Sequence, residues 1–333
     1  MELTTPSYYH RFRCLAGNCP DSCCKEWDVQ VDPDAAGYYR SLPGELGERL
    51  RQVLLDTEDG ILMRNENGRC PMWRQDGLCR IQAKLGEQAL CRVCREYPRL
   101  THDYGDFQER QLELSCPEAA RLILNDTDGA LLTEEIPGGE AGDYDPEAME
   151  VLRRTRNTAF SLLMDSSRPV NEALALLLMY GYQAQAELDG EEPAVFDPEP
   201  ALETARQVAK AGRGEGFLEF FTELEILTEE WKRLLEQPAG MDGWPEQLRA
   251  LARYGVLRYW LQAVSDYDLV SRVKLVIISC LTVRALGGDL CSTAQLYSKE
   301  IENDTDNVEA ILDGAYTHPG FTDAELLHRL LKP

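Results

Sequence analysis

Histidine is scarce in this chain, four residues in 333, and positive charge is outnumbered, with 34 Lys and Arg against 58 Asp and Glu and a formal net charge of −24. So few imidazoles leave little room for His-based acid–base chemistry or a His-built metal site. The acidic balance argues against a nucleic-acid backbone as partner, because phosphates recruit basic patches. It is compatible with a lysine-bearing protein partner, and equally with charge that serves solubility. The excess is uneven: residues 1–120 carry a net −5 and residues 121–333 a net −19. Long apolar runs are also missing. The most apolar, Leu275 to Leu281 (LVIISCL), is far too short to span a bilayer. The N-terminal MELTTPSYYHRFRC has neither an apolar h-region nor a small-residue cleavage site. The expectation is a cytoplasmic protein with no membrane partner. Several catalytic signatures are absent as well: a Walker loop, a Gly-x-Ser-x-Gly elbow, a His-Glu-x-x-His helix, and the Cys-x3-Cys-x2-Cys triad of the usual radical S-adenosylmethionine enzymes. Gly212-Arg213-Gly214-Glu215-Gly216 is glycine-rich, but no strand pattern precedes it, so it reads as a turn.

Cysteine is rare after residue 116, where only Cys280 and Cys291 occur, and both read as structural. It is dense before that: Cys14, Cys19, Cys23, Cys24, Cys70, Cys79, Cys91, Cys94 and Cys116. In a reducing compartment, clustered thiols are more often metal ligands than disulfides. Intervals of two to four residues, as in Cys14-x4-Cys19-x3-Cys23-Cys24 and Cys91-x2-Cys94, let short loops close several sulfurs around one centre. Zinc and iron–sulfur clusters both accept four thiolates. The uneven spacing, the single Cys-x2-Cys pair and a local supply of imidazole limited to His10 and His102 lean toward iron–sulfur, with zinc as the alternative metal. Nine sulfurs exceed one cluster's need, so either two sites exist or some cysteines pack as apolar residues. Cys116 precedes Pro117-Glu118 at a helix start, where free N–H groups and the helix dipole favour a thiolate. Arg69, Arg80, Arg92, Arg95 and Arg99 lie among the cysteines and could offset cluster charge or hold a carboxylate.

The periodicities predict a mainly α protein, a cysteine-rich α+β metal-binding domain over 1–125 followed by an all-α domain over 147–333, with 126–146 as linker. Trp27 to Asp32 alternates like a strand, Pro43 to Asp56 reads as a helix, and Asn65-Glu66-Asn67-Gly68 signals a hairpin between Ile61–Met63 and Cys70–Trp73. Ile81 to Leu90 and Pro117 to Leu124 read as helices. Further helices are expected over 147–164, 170–188, 200–211, 217–235, 244–264, 267–286, 292–312 and 322–331.

Several stretches together resemble the FliB family of flagellin lysine N-methylases. They are Tyr8-Tyr9-x-Arg11-Phe12-x-Cys14, Cys19-Pro20-Asp21-x-Cys23-Cys24-x-x-Trp27, Gly77-Leu78-Cys79-x-Ile81-Gln82, Leu85-Gly86-Glu87, Cys91-x-x-Cys94-Arg95-x-Tyr97-Pro98-Arg99 and Glu113-Leu114-Ser115-Cys116-Pro117-Glu118. The Cys-Cys and Cys-Arg-x-Tyr-Pro elements also resemble a wider group of zinc- or iron-chelating domains. The helical remainder fits more loosely, near Ser298-Lys299-Glu300-Ile301-Glu302-Asn303, where the family tends to have His in place of Asn303. The resemblance implies methyl transfer from S-adenosylmethionine to flagellin lysines in the cytoplasm, and a [4Fe–4S] cluster on the N-terminal cysteines. Trp27, Asp28, Tyr97, Asp103 and Glu113 are the candidate catalytic residues, and Arg95 and Arg99 the candidate cofactor-binding ones. The rival reading is a non-enzymatic zinc- or iron-binding protein, or a redox sensor using Cys91 and Cys94, with a helical partner-binding domain.

Overall fold

The computed structural model describes residues 1–25, 27–58 and 60–332; Pro333, the last residue of the predicted helical domain, lies outside them. In chain order the elements begin with β1 (Glu2–Pro6), β2 (Val29–Val31), α1 (Pro33–Ser41), α2 (Gly44–Val53), β3 (Leu54–Thr57) and β4 (Gly60–Met63). Then come α3 (Arg80–Leu85), α4 (Arg92–Glu96), β5 (Arg99–Asp103), β6 (Phe107–Leu112), α5 (Pro117–Leu124) and β7 (Leu131–Glu135). The remainder is helical: α6 (Pro146–Met164), α7 (Val170–Leu188), α8 (Pro198–Ala209), α9 (Glu229–Glu236), α10 (Glu246–Tyr259), α11 (Leu269–Leu286), α12 (Leu290–Tyr297), α13 (Thr305–Thr317) and α14 (Asp323–Leu331). The protein is mainly α, as the periodicities predict. Two compact units result. One comprises Met1–Arg11, Thr101–Ser115 and Ala120–Pro333; the other comprises Phe12–Leu100 and Cys116–Ala119.

This division differs from a cut at residue 125. In the first unit a four-stranded sheet has the order β5-β6-β1-β7. Strand β1 runs parallel to β6, with Glu2 opposite Phe107, and antiparallel to β7, with Glu2 opposite Glu135 and Pro6 opposite Leu131. The stretch 126–146 therefore supplies a strand as well as loops. The first residues of the chain belong with the helices, because β pairing is non-local and a five-residue strand carries too little alternation to announce itself.

Acidic side chains start many of the helices. Asp145, Asp197, Asp268, Asp289 and Asp304 each accept a backbone N–H at the N-terminus of α6, α8, α11, α12 and α13. Each such cap contributes about 1 kcal/mol, so part of the acidic excess is structural. Helix α11 is buried on nearly every face, from Leu269 to Val283. Two predicted long helices are broken. Over 217–235 a short 3-10 turn (Glu219–Thr222) precedes α9, since the Glu300 carboxylate accepts from Leu227 N (2.8 Å) and Thr228 Oγ1 (2.5 Å) and Thr228 caps α9. Over 292–312 a π-helical turn, Ser298–Glu302, separates α12 from α13.

The second unit holds a three-stranded sheet of order β2-β4-β3, with Val29 opposite Met63 and Leu54 opposite Met63 on the other side. Its core is Val29, Val31, Tyr39, Leu50, Met63, Met72 and Ile81, joined by Cys70 and Cys91. Helix α1 escapes the sequence reading although Asp32-Pro33 is a cap followed by proline at the first helical position. The Asn-Gly turn forms, with φ +54° at Asn67 and +76° at Gly68 and reciprocal Glu66/Arg69 backbone hydrogen bonds. Strand β4 nevertheless pairs with β2 and β3 and not with Cys70–Trp73, where the flanking pairing is limited to isolated bridges such as Glu66–Arg69.

Candidate metal centre

The nine N-terminal cysteines all fall in the second unit. All eleven cysteines of the chain are free thiols. Short turns place them. Cys19 follows the 3-10 turn Ala16–Asn18, and Cys23 and Cys24 sit in a turn whose Cys24 carbonyl accepts from Cys70 N at 2.7 Å. An isolated bridge ties Trp73 to Cys79. Cys79 is the residue before α3, Cys91 the residue before α4, and Cys94 lies one turn into α4. Tyr39, whose hydroxyl donates to Ala89 O at 2.7 Å, stands beside Cys91 and Cys94, and the burial and these sulfurs push its phenol up.

The sulfurs form two neighbourhoods. A thiol hydrogen bond toward Cys24 raises Cys23; Cys24, donating in turn to Cys70, is pushed up to about 12, while Cys70 is lowered by what it receives. Cys91 and Cys94 act on each other likewise, Cys94 lowering Cys91 and Cys91 raising Cys94. Cys79 feels Cys23 and Cys91, and Cys94 feels Cys24 and Cys70, so these six thiols repel one another's charge. Cys14, Cys19 and Cys116 make the other neighbourhood, since Cys116 feels Cys19 and Cys14, and Cys19 links it to the first through Cys23. The expectation that the helix start favours a Cys116 thiolate is corrected. Burial pushes Cys116 up to about 12, outweighing the Glu118 and Ala119 N–H groups that favour the charged form.

Among the described residues no group of three or more Cys, His, Asp or Glu is drawn together closely enough to hold an ion. The donor set still fits a thiolate-held centre in its chemistry. Thiols that disfavour each other's ionisation, here with Cys70 and Cys91 buried, Cys24, Cys79 and Cys94 half-buried and Cys23 exposed, are the arrangement that a cation relieves, because metal binding replaces their protons. Cys23, Cys24, Cys70, Cys79, Cys91 and Cys94 are the set that would hold it.

The remaining candidate residues divide between the units. Trp27, 38% exposed, donates from Nε1 to Cys23 O at 2.8 Å. Asp28 accepts from Asn65 N at 2.6 Å. Tyr97 ends α4 and is half-buried. Arg95 forms no ion pair among the described residues, and Arg99 lies over the Phe12 ring at 5.3 Å. Arg69 stacks on Trp73 at 4.0 Å. Asp103 and Glu113 belong to the first unit. Asp103 accepts from Gly105 N (2.9 Å) and Gln108 Nε2 (2.8 Å). Glu113 is desolvated near Arg258 and Glu302, and burial raises its carboxyl.

Two arrangements escape the sequence reading. Asp32 caps α1 through Ala35 N (3.0 Å) and accepts Arg92 N (2.7 Å), joining α1 to the helix that carries Cys94. In the first unit Glu302 collects Ser298 Oγ (2.5 Å), Tyr254 OH (3.0 Å) and Tyr259 OH (2.9 Å), with Arg258 bonded to Tyr254 at 2.6 Å. Asp-Pro is the signal for the first; for the second, the sign is an arginine within an otherwise buried helical face.

Over 146 residues, 40% of this chain, the sequence is 32% identical to a lysine-N-methylase of Salmonella typhimurium, of which the match covers 35%. It is 31% identical over 146 residues to the flagellar biosynthetic protein FliU of Salmonella muenchen, covering 83% of that protein. A lysine-N-methylase of Salmonella choleraesuis is 31% identical over the same length, again with 35% of it covered. The match thus spans about a third of each lysine-N-methylase and most of FliU. No family model matches the chain, and no solved structure matches it.

Proposed function

The chain belongs to the FliB family, and from that premise we propose that it transfers a methyl group from S-adenosylmethionine to lysine side chains of flagellin, with a [4Fe–4S] cluster on its thiolates. The observation that carries the reading is the packing of Cys70 and Cys91 into one core with Cys24, Cys79 and Cys94 against it. The relatives' names supply the reaction class and a flagellar connection.

Bound there, a cluster would supply Lewis-acidic iron able to hold the amino and carboxylate groups of a methyl donor. The rest falls to side chains. Arg95, in no ion pair among the described residues, offers a guanidinium to the donor's carboxylate. Trp27 and Tyr97 offer aromatic faces to a sulfonium. A lysine amine titrates near about 10.4 and must shed its proton before its lone pair can attack. As the new N–C bond forms, the S–C bond breaks, its electrons pass to sulfur, and S-adenosylhomocysteine leaves as a neutral thioether. Asp28, Asp103 and Glu113 are the carboxylates considered for the proton. Asp28 accepts a backbone N–H in the unit that holds the thiols; Asp103 and Glu113 belong to the other unit, where burial raises the carboxyl of Glu113.

The test is to purify the full chain without air, measure iron, sulfide, zinc and visible absorbance, and incubate it with methyl-labelled S-adenosylmethionine and flagellin. Iron with matching sulfide and label on flagellin lysines is the expected result. Colourless, zinc-loaded protein that transfers no label supports the chelating alternative. Iron-loaded, reduced protein that leaves flagellin unlabelled overturns the methylase reading.

A further inference from the structure

An open cavity of about 870 Å³ lies wholly within the first unit. Its walls come from the β5–β6 turn, the loop after β7, Met1 and the turn at Gln262–Ser265, and glycine lets the first two segments meet. A Cβ on Gly105, at φ +92°, would stand 3.0 Å from Gly142 Cα and 3.1 Å from Ala141 O. Tyr104 lines the cavity and stacks on Phe107 with ring centroids 4.6 Å apart. Tyr144 meets both rings edge-on, at 6.4 and 6.3 Å. Its hydroxyl donates to Asp106 Oδ1 at 2.7 Å. Asp103, Glu140 and Asp143 supply carboxylates to the same lining.

Among the described residues no Lys or Arg lines this cavity. His102 does, but burial first, then Arg258, lower it to about 4, so it is neutral near pH 7. The amino group of Met1 is turned to the carbonyls of Ile136 (3.0 Å) and Gly138 (3.3 Å). Arg153 lies 3.7 Å from the centroid of Phe107, so one cation already uses this aromatic group. Fixed aromatic faces beside carboxylates select a large, weakly hydrated cation. A hydrated divalent ion would need converging oxygens in place of ring faces, and an anionic cosubstrate would meet three carboxylates.

We infer that this cavity binds an alkylammonium group, the lysine side chain of a protein substrate or its methylated form, against Tyr104 and Tyr144 with Glu140 and Asp143 as counter-charge. The identity of the occupant rests on the proposed methyl transfer; the recognition chemistry does not. Ligand-observed NMR on the full chain tests it with three forms of one short peptide bearing a single lysine: unmodified, trimethylated and acetylated. The two cationic forms should bind and the neutral acetylated form should not. Glu140→Gln and Asp143→Asn, both on an exposed loop, should each weaken binding by about two- to fivefold, the scale of a solvated ion pair. Tyr144→Leu should weaken it by about two- to fivefold while Tyr144→Phe retains it, since the ring face is what is read. Equal binding of the acetylated peptide, or wild-type affinity in all of these variants, overturns the site. Flagellin labelling that survives with such unchanged affinities keeps the methylase reading and removes the cavity from it. Weakened binding in the variants of a protein that never transfers label does the reverse.

Discussion

Glu113 shows how one residue can oppose the stability of the fold that holds it. Burial is the main cause that raises its carboxyl; Glu302 adds repulsion and Arg258 partly offsets both. The folded value therefore lies above that of the unfolded chain, near about 4.3. The protonated form suits the fold, so this stabilisation is fully present below the unfolded value and is lost as pH rises through the folded one. Glu113→Gln should accordingly raise the urea-unfolding midpoint at pH 7, by an amount equivalent to up to about 1 kcal/mol of unfolding free energy, with a smaller gain at pH 5. A lower midpoint at pH 7 would show that the ionised carboxylate is needed to balance Arg258. If the same variant also loses methyl transfer, the raised carboxyl is held there for chemistry at a cost in stability.

Among the elements, α1 and α4 are joined through one carboxylate. The first cause holding Asp32 low is the N–H of Arg92, followed among the favourable contacts by that of Ala35. That stabilisation is present above the unfolded value, near about 3.9, and is lost as pH falls through the lower folded value. Asp32→Ala should cost about 1–2 kcal/mol, the upper range for a cap, and Asp32→Asn less. Thermal melts at pH 7 check both, and an unchanged melting temperature in the alanine variant would remove the tie. Local signals of this kind are legible in sequence: α5 and α7 occupy the predicted residues, Pro117–Leu124 and Val170–Leu188. Breaks imposed from afar are not legible. Nothing near Leu227 announces that Glu300 will accept its N–H.

At the scale of the molecule, the two units are built on different cores. Buried Leu, Ile, Val and aromatic side chains around α11 fill the first. The second packs Cys70 and Cys91 into its core with Cys24, Cys79 and Cys94 against it. Stripping the proposed metal should therefore lower amide-exchange protection across 29–31 and 80–96 while leaving 269–286 unchanged. Equal loss in both units, or none in either, would separate the thiols from the stability of their unit. The sequence by itself determined the thiol inventory, the acidic charge and the helices whose caps and periodicity lie within a few residues. Those features are read by neighbours along the chain. The tertiary structure alone decided that β1 pairs with β6 and β7, that Cys116 comes beside Cys14 and Cys19, and that Tyr104 and Tyr144 face one cavity. Each joins residues far apart in the chain, and burial and pairing at that range leave no periodic trace in the sequence.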